Sequence, residues 1–110
     1  MPLPRSVKVH GVRYKMRHVN GRKDKTMSGL KCMGCVEFNR DGTGPVISID
    51  NTQTKDKQAE TFIHEIIHVI GSELGIAQLL NTEKITNPLA RSLYGVLKDN
   101  PKIAKWLIED

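Results

Sequence analysis

Two of the four histidines in this chain lie four residues apart, in the segment HEIIH at residues 64–68. On a helix, side chains four residues apart differ by about 40° around the axis, so the rings of His64 and His68 can be directed at one point. Neutral imidazole binds zinc well, and fixing two ligands on one rigid element lowers the entropic cost of assembling a site. The spacing therefore predicts a pair of ligands for Zn²⁺.

Glu65 directly follows the first of these histidines. It lies about 100° from His64 around the helix, close enough to contact a zinc-bound water without binding the ion. Zinc lowers the pKa of that water toward ~7, and a carboxylate can take the proton as the water attacks a peptide carbonyl. The pattern H-E-x-x-H is typical of zinc metallopeptidases and predicts Glu65 as the catalytic base. The alternative is two histidines at a helix border that bind no metal.

A catalytic zinc also needs a third protein ligand and leaves a fourth position open. Glu73 is on the same helix, five residues past His68, and points away from the pair. Glu83 is the only carboxylate between Glu73 and Asp99. We therefore predict Glu83 as the third metal ligand.

The helix that carries the histidines has the clearest apolar period in the chain. The period runs from about Thr54 to Gly75, which offers a C-terminal stop. β-branched residues are frequent here, so packing against a sheet must supply most of the stability. The apolar stripe consists of Ala59, Phe62, Ile63, Ile66, Ile67, Ile70 and Leu74.

Alternating apolar and polar residues before this helix predict strands. Residues 6–19 form a hairpin or one bent strand with Gly11 at the bend, and residues 20–29 form a loop. Residues 35–39 and 45–50 form a second hairpin around the Asp-Gly turn at 41–42.

Helices are predicted after the histidine helix. Residues 76–80 form a short turn, a helix over 88–98 begins at Pro88, and a last short helix begins at Pro101. Strands followed by helices favour one α+β domain over residues 1–110, with a small antiparallel sheet packed against the HExxH helix and one or two C-terminal helices. The predicted inward residues are Leu89, Leu93, Val96 or Leu97, and Trp106 as a packing anchor.

The composition is that of a globular protein, with 38% hydrophobic and 26% charged residues. No apolar run is long enough to span a membrane, and the N-terminus MPLPRSVKVHG lacks the apolar core of a signal peptide. These features predict a cytoplasmic protein with no membrane partner.

The segment HEIIHVIG, followed after a short spacer by EKITNPLARSLYGVL, resembles the ImmA/IrrE-type, or minigluzincin-like, zinc metallopeptidases. That family includes many small phage and prophage proteins. A helix after the H-E-x-x-H helix there carries a glutamate ligand in a pattern like E-x-x-A-N-x-x-A. The pattern falls here on Glu83, Thr86, Asn87 and Ala90, within a resemblance over roughly residues 45–100.

This resemblance implies a zincin-like fold with His64, His68 and Glu83 on the zinc and Glu65 as the base. Some relatives cleave a repressor or another regulatory protein. The resemblance therefore implies a protein or peptide substrate, with a regulatory protein as one candidate.

Cys32 and Cys35 are too close in sequence for a structural disulfide framework. They could pair with His64 and His68 in a Cys2His2 zinc site. A zinc finger separates its pairs by about 12–15 residues, however, whereas 28 residues lie between Cys35 and His64. We expect two free thiols near the start of a strand.

Basic residues are concentrated at the N-terminus, since residues 1–31 hold nine Lys or Arg and one acid. They alternate with apolar residues, as on the solvated face of a hairpin. The alternative to an enzyme is a non-catalytic, zinc-stabilised binding module that contacts nucleic acid or an acidic protein through this half.

Overall fold

A computed structural model of the protein describes residues 4–24, 32–39, 42–80 and 82–109. The predicted loop at 20–29 and the Asp-Gly turn at 41–42 lie partly outside these ranges. The described residues form a compact α+β fold, as the order of strands and helices predicts. The strands are β1 (Ser6–Val9), β2 (Val12–Val19), β3 (Gly34–Glu37) and β4 (Val46–Asp50).

The first predicted hairpin is confirmed. β1 and β2 are antiparallel, with Val9 opposite Val12. His10 and Gly11 connect them with φ angles of 49° and 81°. Two successive positive φ angles are the geometry of a tight hairpin turn whose twist matches that of the strands.

The sheet is mixed, so the prediction of an antiparallel sheet is wrong in one respect. The strand order is β1-β2-β4-β3. β3 and β4 form the second predicted hairpin, but β4 runs parallel to β2, with Met16 beside Ile47. β3 lies at the edge of the sheet opposite β1, and β4 lies between β3 and β2. Apolar alternation indicates which face a strand buries, but not the direction of its neighbour.

Helix α1 (Lys55–Glu73) confirms the predicted long helix. The Thr54 side chain caps its start by accepting a hydrogen bond from the Lys57 backbone N–H at 3.2 Å. The chain turns away at Gly75, where φ is 72°. The core between α1 and the sheet contains Val9, Tyr14, Met16, Ile47, Ile49 and Val69, with Phe62, Ile66 and Ile70 packed against it.

Helix α3 begins five residues earlier than predicted. After the single turn α2 (Ala77–Leu80), α3 spans Glu83–Asp99 and contains Pro88. Its first turn forms because the Thr82 carbonyl accepts hydrogen bonds from the N–H groups of Ile85 and Thr86. Pro88 then removes only the bond to the carbonyl of Lys84, an exposed residue that water can reach.

The inward face of α3 also differs from the prediction. Thr86 and Ala90 are buried, whereas Leu89, Leu93 and Val96 are exposed and Leu97 is partly buried. Small side chains let α3 approach α1 closely, and the leucine face lies to the side of that contact. Helix α4 (Pro101–Ile108) starts as predicted but buries no residue, and its Trp106 is 70% exposed instead of anchoring the core.

Across the described ranges, none of the helices has both the length and the apolar character that crossing a bilayer requires.

Candidate metal centre

Helices α1 and α3 bring the three predicted metal ligands together. His64 Nε2 and His68 Nε2 lie 2.9 Å apart. Glu83, the first residue of α3, places Oε1 at 3.0 Å from His68 Nε2 and Oε2 at 3.2 Å from His64 Nε2. In the described part of the chain, these three residues form the one group of His, Cys, Asp or Glu whose ligand atoms converge closely enough to hold a metal ion.

The spacing of these atoms fits a tetrahedral cation. Bonds of about 2.1 Å at tetrahedral angles hold ligand atoms about 3.4 Å apart. The two Nε2 atoms are a few tenths of an ångström closer than this, and so is each of them to one Glu83 oxygen, His64 to Oε2 and His68 to Oε1. The donor set of two imidazoles and a carboxylate is also the set that catalytic zinc sites use.

The histidine side of the site is largely buried, whereas the Glu83 side is open to solvent. The histidine side chains are 16% and 17% exposed, whereas the Glu83 side chain is 61% exposed. Burial lowers the pKa of His64, which favours the neutral imidazole that a metal ion binds. A bound cation would therefore meet protein on the α1 side and solvent or substrate beside Glu83.

Asn87 is a site residue to which the sequence analysis gave no role. Its interaction with the His64 ring raises the pKa of His64, while burial has the larger effect and lowers it. Asn87 therefore lies beside the ring of a predicted metal ligand. Asn87 lies one turn after Glu83, on the same face of α3. The sequence-based prediction began this helix at Pro88, so it did not place the two residues on a common face.

Glu65 lies beside the ligand group and not within it. Its side chain is 7% exposed, and Oε1 is 4.0 Å from His64 Nε2. Burial raises the pKa of Glu65 to about 7, and the Glu83 carboxylate adds to this effect. A carboxyl group with a pKa near neutrality can both accept and return a proton, as a general base must.

Gly34 allows β3 to pack tightly over Glu65. A Cβ atom at Gly34 would lie 2.7 Å from Thr61 Cγ2 and 3.3 Å from Glu65 Cγ. No side chain fits between the strand and the helix at this point. The close approach therefore explains much of the burial of Glu65.

A cleft of about 580 Å³ leads to the centre, a volume typical of sites for small molecules and peptides. Helix α1 forms its floor, residues 32–35 form one wall, and α3 forms the other. The lining residues are Cys32, Met33, Gly34, Cys35, Lys57, Glu60, Thr61, His64, Glu65, His68, Glu83, Asn87, Ala90 and Arg91.

The two cysteines line this cleft without a disulfide between them, and within the described ranges no three-ligand group includes them. Burial raises the pKa of Cys35 to about 12 and also raises that of Cys32. In the described part of the chain, no converging group of ligand atoms includes either cysteine, so the geometry gives no support to the Cys2His2 alternative.

Glu73 is directed away from the centre, as predicted. The Tyr14 hydroxyl donates a hydrogen bond of 2.6 Å to Glu73 Oε1. This carboxylate thus connects the end of α1 to the sheet.

No protein-family model, no curated protein and no solved structure matches the chain. The resemblance to ImmA/IrrE-type metallopeptidases stays a prediction from the motif.

Proposed function

We propose that the protein is a zincin-like, zinc-dependent metallopeptidase that hydrolyses peptide bonds. The observation that carries this proposal is the convergence of His64, His68 and Glu83, with the Glu65 carboxylate 4.0 Å from His64. Three protein ligands and an adjoining acid are the parts that zinc-dependent peptide hydrolysis uses.

His64, His68 and Glu83 would hold the zinc, with Asn87 beside His64. When bound, zinc supplies Lewis acidity for the peptide carbonyl and the attacking water. Glu65 accepts the proton that the water loses and passes it to the amine of the departing peptide. The wall of residues 32–35 limits the access of bulk water to this carboxylate.

The substrate class is a protein or peptide. The cleft volume of about 580 Å³ is that of a site for a small molecule or a short peptide, and the Glu83 side chain beside the proposed metal is 61% exposed. By resemblance, a phage-encoded protein that cleaves a regulatory protein is the expected role. Cys32 and Cys35 form no disulfide, which suits a reducing cytoplasm, and we propose that compartment.

Glu65→Gln tests the function. The variant keeps the shape of the side chain but cannot take a proton, so we expect it to bind one zinc, to melt as the wild type does, and to lose turnover at least 100-fold. Glu83→Ala should instead lose zinc. Zinc is measured by mass spectrometry of the purified protein, and turnover with a library of fluorogenic peptides.

Glu109→Gln is the matched control, because it removes the same charge outside the cleft. It should leave both zinc content and turnover unchanged. Full turnover by Glu65→Gln, or a wild-type protein without zinc after loading, would contradict the proposal.

A further inference from the structure

The end of the cleft away from His68 carries three charged side chains that the proposed chemistry does not use. Lys57 and Glu60 are on α1, and Arg91 reaches the cleft from α3. Glu60 lies about 6 Å and Lys57 about 10 Å along the helix axis from His64, at 1.5 Å per residue.

One carboxylate lies between two cations at this end. Arg91 Nε donates to Glu60 Oε1 at 3.4 Å, and Lys57 Nζ is 3.6 Å from the same oxygen. Within the described part of the chain, Glu60 is the only side chain paired with either cation. The three groups therefore leave one net positive charge.

The donors of Arg91 are only partly used. A guanidinium has five N–H donors, and the pair with Glu60 uses Nε. The side chain is 72% exposed, so its terminal amino groups are accessible from the cleft. Two such amino groups form the planar fork that binds a carboxylate through both oxygens.

The distances along α1 from His64 to Glu60 and Lys57 correspond to a few residues of an extended peptide. An extended peptide advances about 3.3 Å per residue, so 6–10 Å from the metal ligands corresponds to roughly two or three residues.

We infer that Lys57 and Arg91 form a subsite for a substrate carboxylate two or three residues from the bond cleaved at the metal centre. The carboxylate is either an acidic side chain or a free peptide C-terminus, since both present the same group. This inference rests on the proposed metallopeptidase function and adds a substrate class to it.

Matched peptide hydroxamates test the subsite without turnover. The hydroxamate anchors each probe on zinc, followed by two or three residues. One probe ends in a free carboxylate, the second in an amide, and the third carries an aspartate and ends in an amide. Binding to zinc-loaded protein is measured by calorimetry.

We expect one or both carboxylate probes to bind about fivefold more tightly than the neutral amide. Hydrogen bonds between the carboxylate and Arg91 are charge-assisted, but solvent at this exposed position weakens them. Arg91→Gln should abolish the preference, Lys57→Gln should reduce it, and added salt should weaken it. The carboxylate probe that binds more tightly shows whether the subsite prefers a peptide C-terminus or an acidic side chain. Lys102→Gln, which removes an equal charge from α4, should leave the preference unchanged.

The outcomes separate this inference from the proposed function. Equal binding of all three probes, unaltered by Arg91→Gln, would contradict the carboxylate subsite but not the proposed metal centre. Failure of every probe to bind zinc-loaded protein would overturn both. Arg91→Gln must retain zinc and its melting temperature, which its exposure leads us to expect.

Discussion

At the scale of single residues, the candidate centre depends on the positions of His64, Glu65 and His68 around the axis of α1. His64 and His68 converge because residues four apart lie on one side of a helix, whereas Glu65 lies about 100° from His64 and about 60° from His68, beside the pair. The tight packing of Gly34 over Glu65 could not be predicted, because the two residues lie on elements far apart in sequence.

Gly34→Ala tests this packing. The added methyl group would lie 2.7 Å from Thr61 Cγ2, so Thr61 or the strand must shift. We expect a loss of about 1–3 kcal/mol in the free energy of unfolding, measured by urea denaturation, and a fall in turnover with zinc retained.

Gly95→Ala is the control for that substitution. Gly95 lies inside α3, and a Cβ there would meet nothing within 4 Å. Alanine should therefore raise stability by roughly 0.5–1 kcal/mol through its helix propensity. Equal effects at the two glycines would contradict the packing explanation.

At the scale of elements, the strands and α1 followed from local patterns, whereas the start of α3 did not. Proline is common at the first position of a helix, and this preference placed the start at Pro88. The Thr82 carbonyl starts the helix earlier, and burial of Thr86 and Ala90 against α1 offsets the missing hydrogen bond. The early start is also what brings Glu83 and Asn87 to the histidines.

Pro88→Ala measures the cost of that proline. Alanine restores an N–H group for the Lys84 carbonyl, so we expect stability to rise by about 1–2 kcal/mol, less than the full ~3 kcal/mol because the unfolded chain gains freedom. Thermal unfolding by circular dichroism checks the change. A less stable variant would mean that the proline supplies a bend that α3 needs.

At the scale of the whole molecule, the parallel pairing of β2 with β4 could not be predicted from local sequence patterns. It depends on how the two hairpins are placed in the sheet relative to each other. The sheet and α1 share one core, and the hydrogen bond from Tyr14 to Glu73 connects them at its border. Tyr14 is 1% exposed. Burial raises the pKa of Tyr14 to about 12, and the bond to Glu73 contributes to the shift.

This pKa predicts a loss of stability in alkali. Between pH 10 and about 12 the unfolded chain releases the Tyr14 proton while the folded protein keeps it, so the free energy of unfolding falls as pH rises. Tyr14→Phe should lose about 1 kcal/mol at pH 7 by losing the hydrogen bond, and should fall less steeply above pH 10. Chemical denaturation across this range measures both slopes, and parallel curves would contradict the assignment.

Because Trp106 is exposed, the intrinsic tryptophan fluorescence should be a poor measure of folding and of ligand binding. The only indole of the protein stands in water on α4, outside both the core and the cleft. Its emission should already resemble that of a denatured chain and should respond little to zinc or peptides. A tryptophan placed at Phe62, beside the core, would give a spectroscopic signal that follows global unfolding.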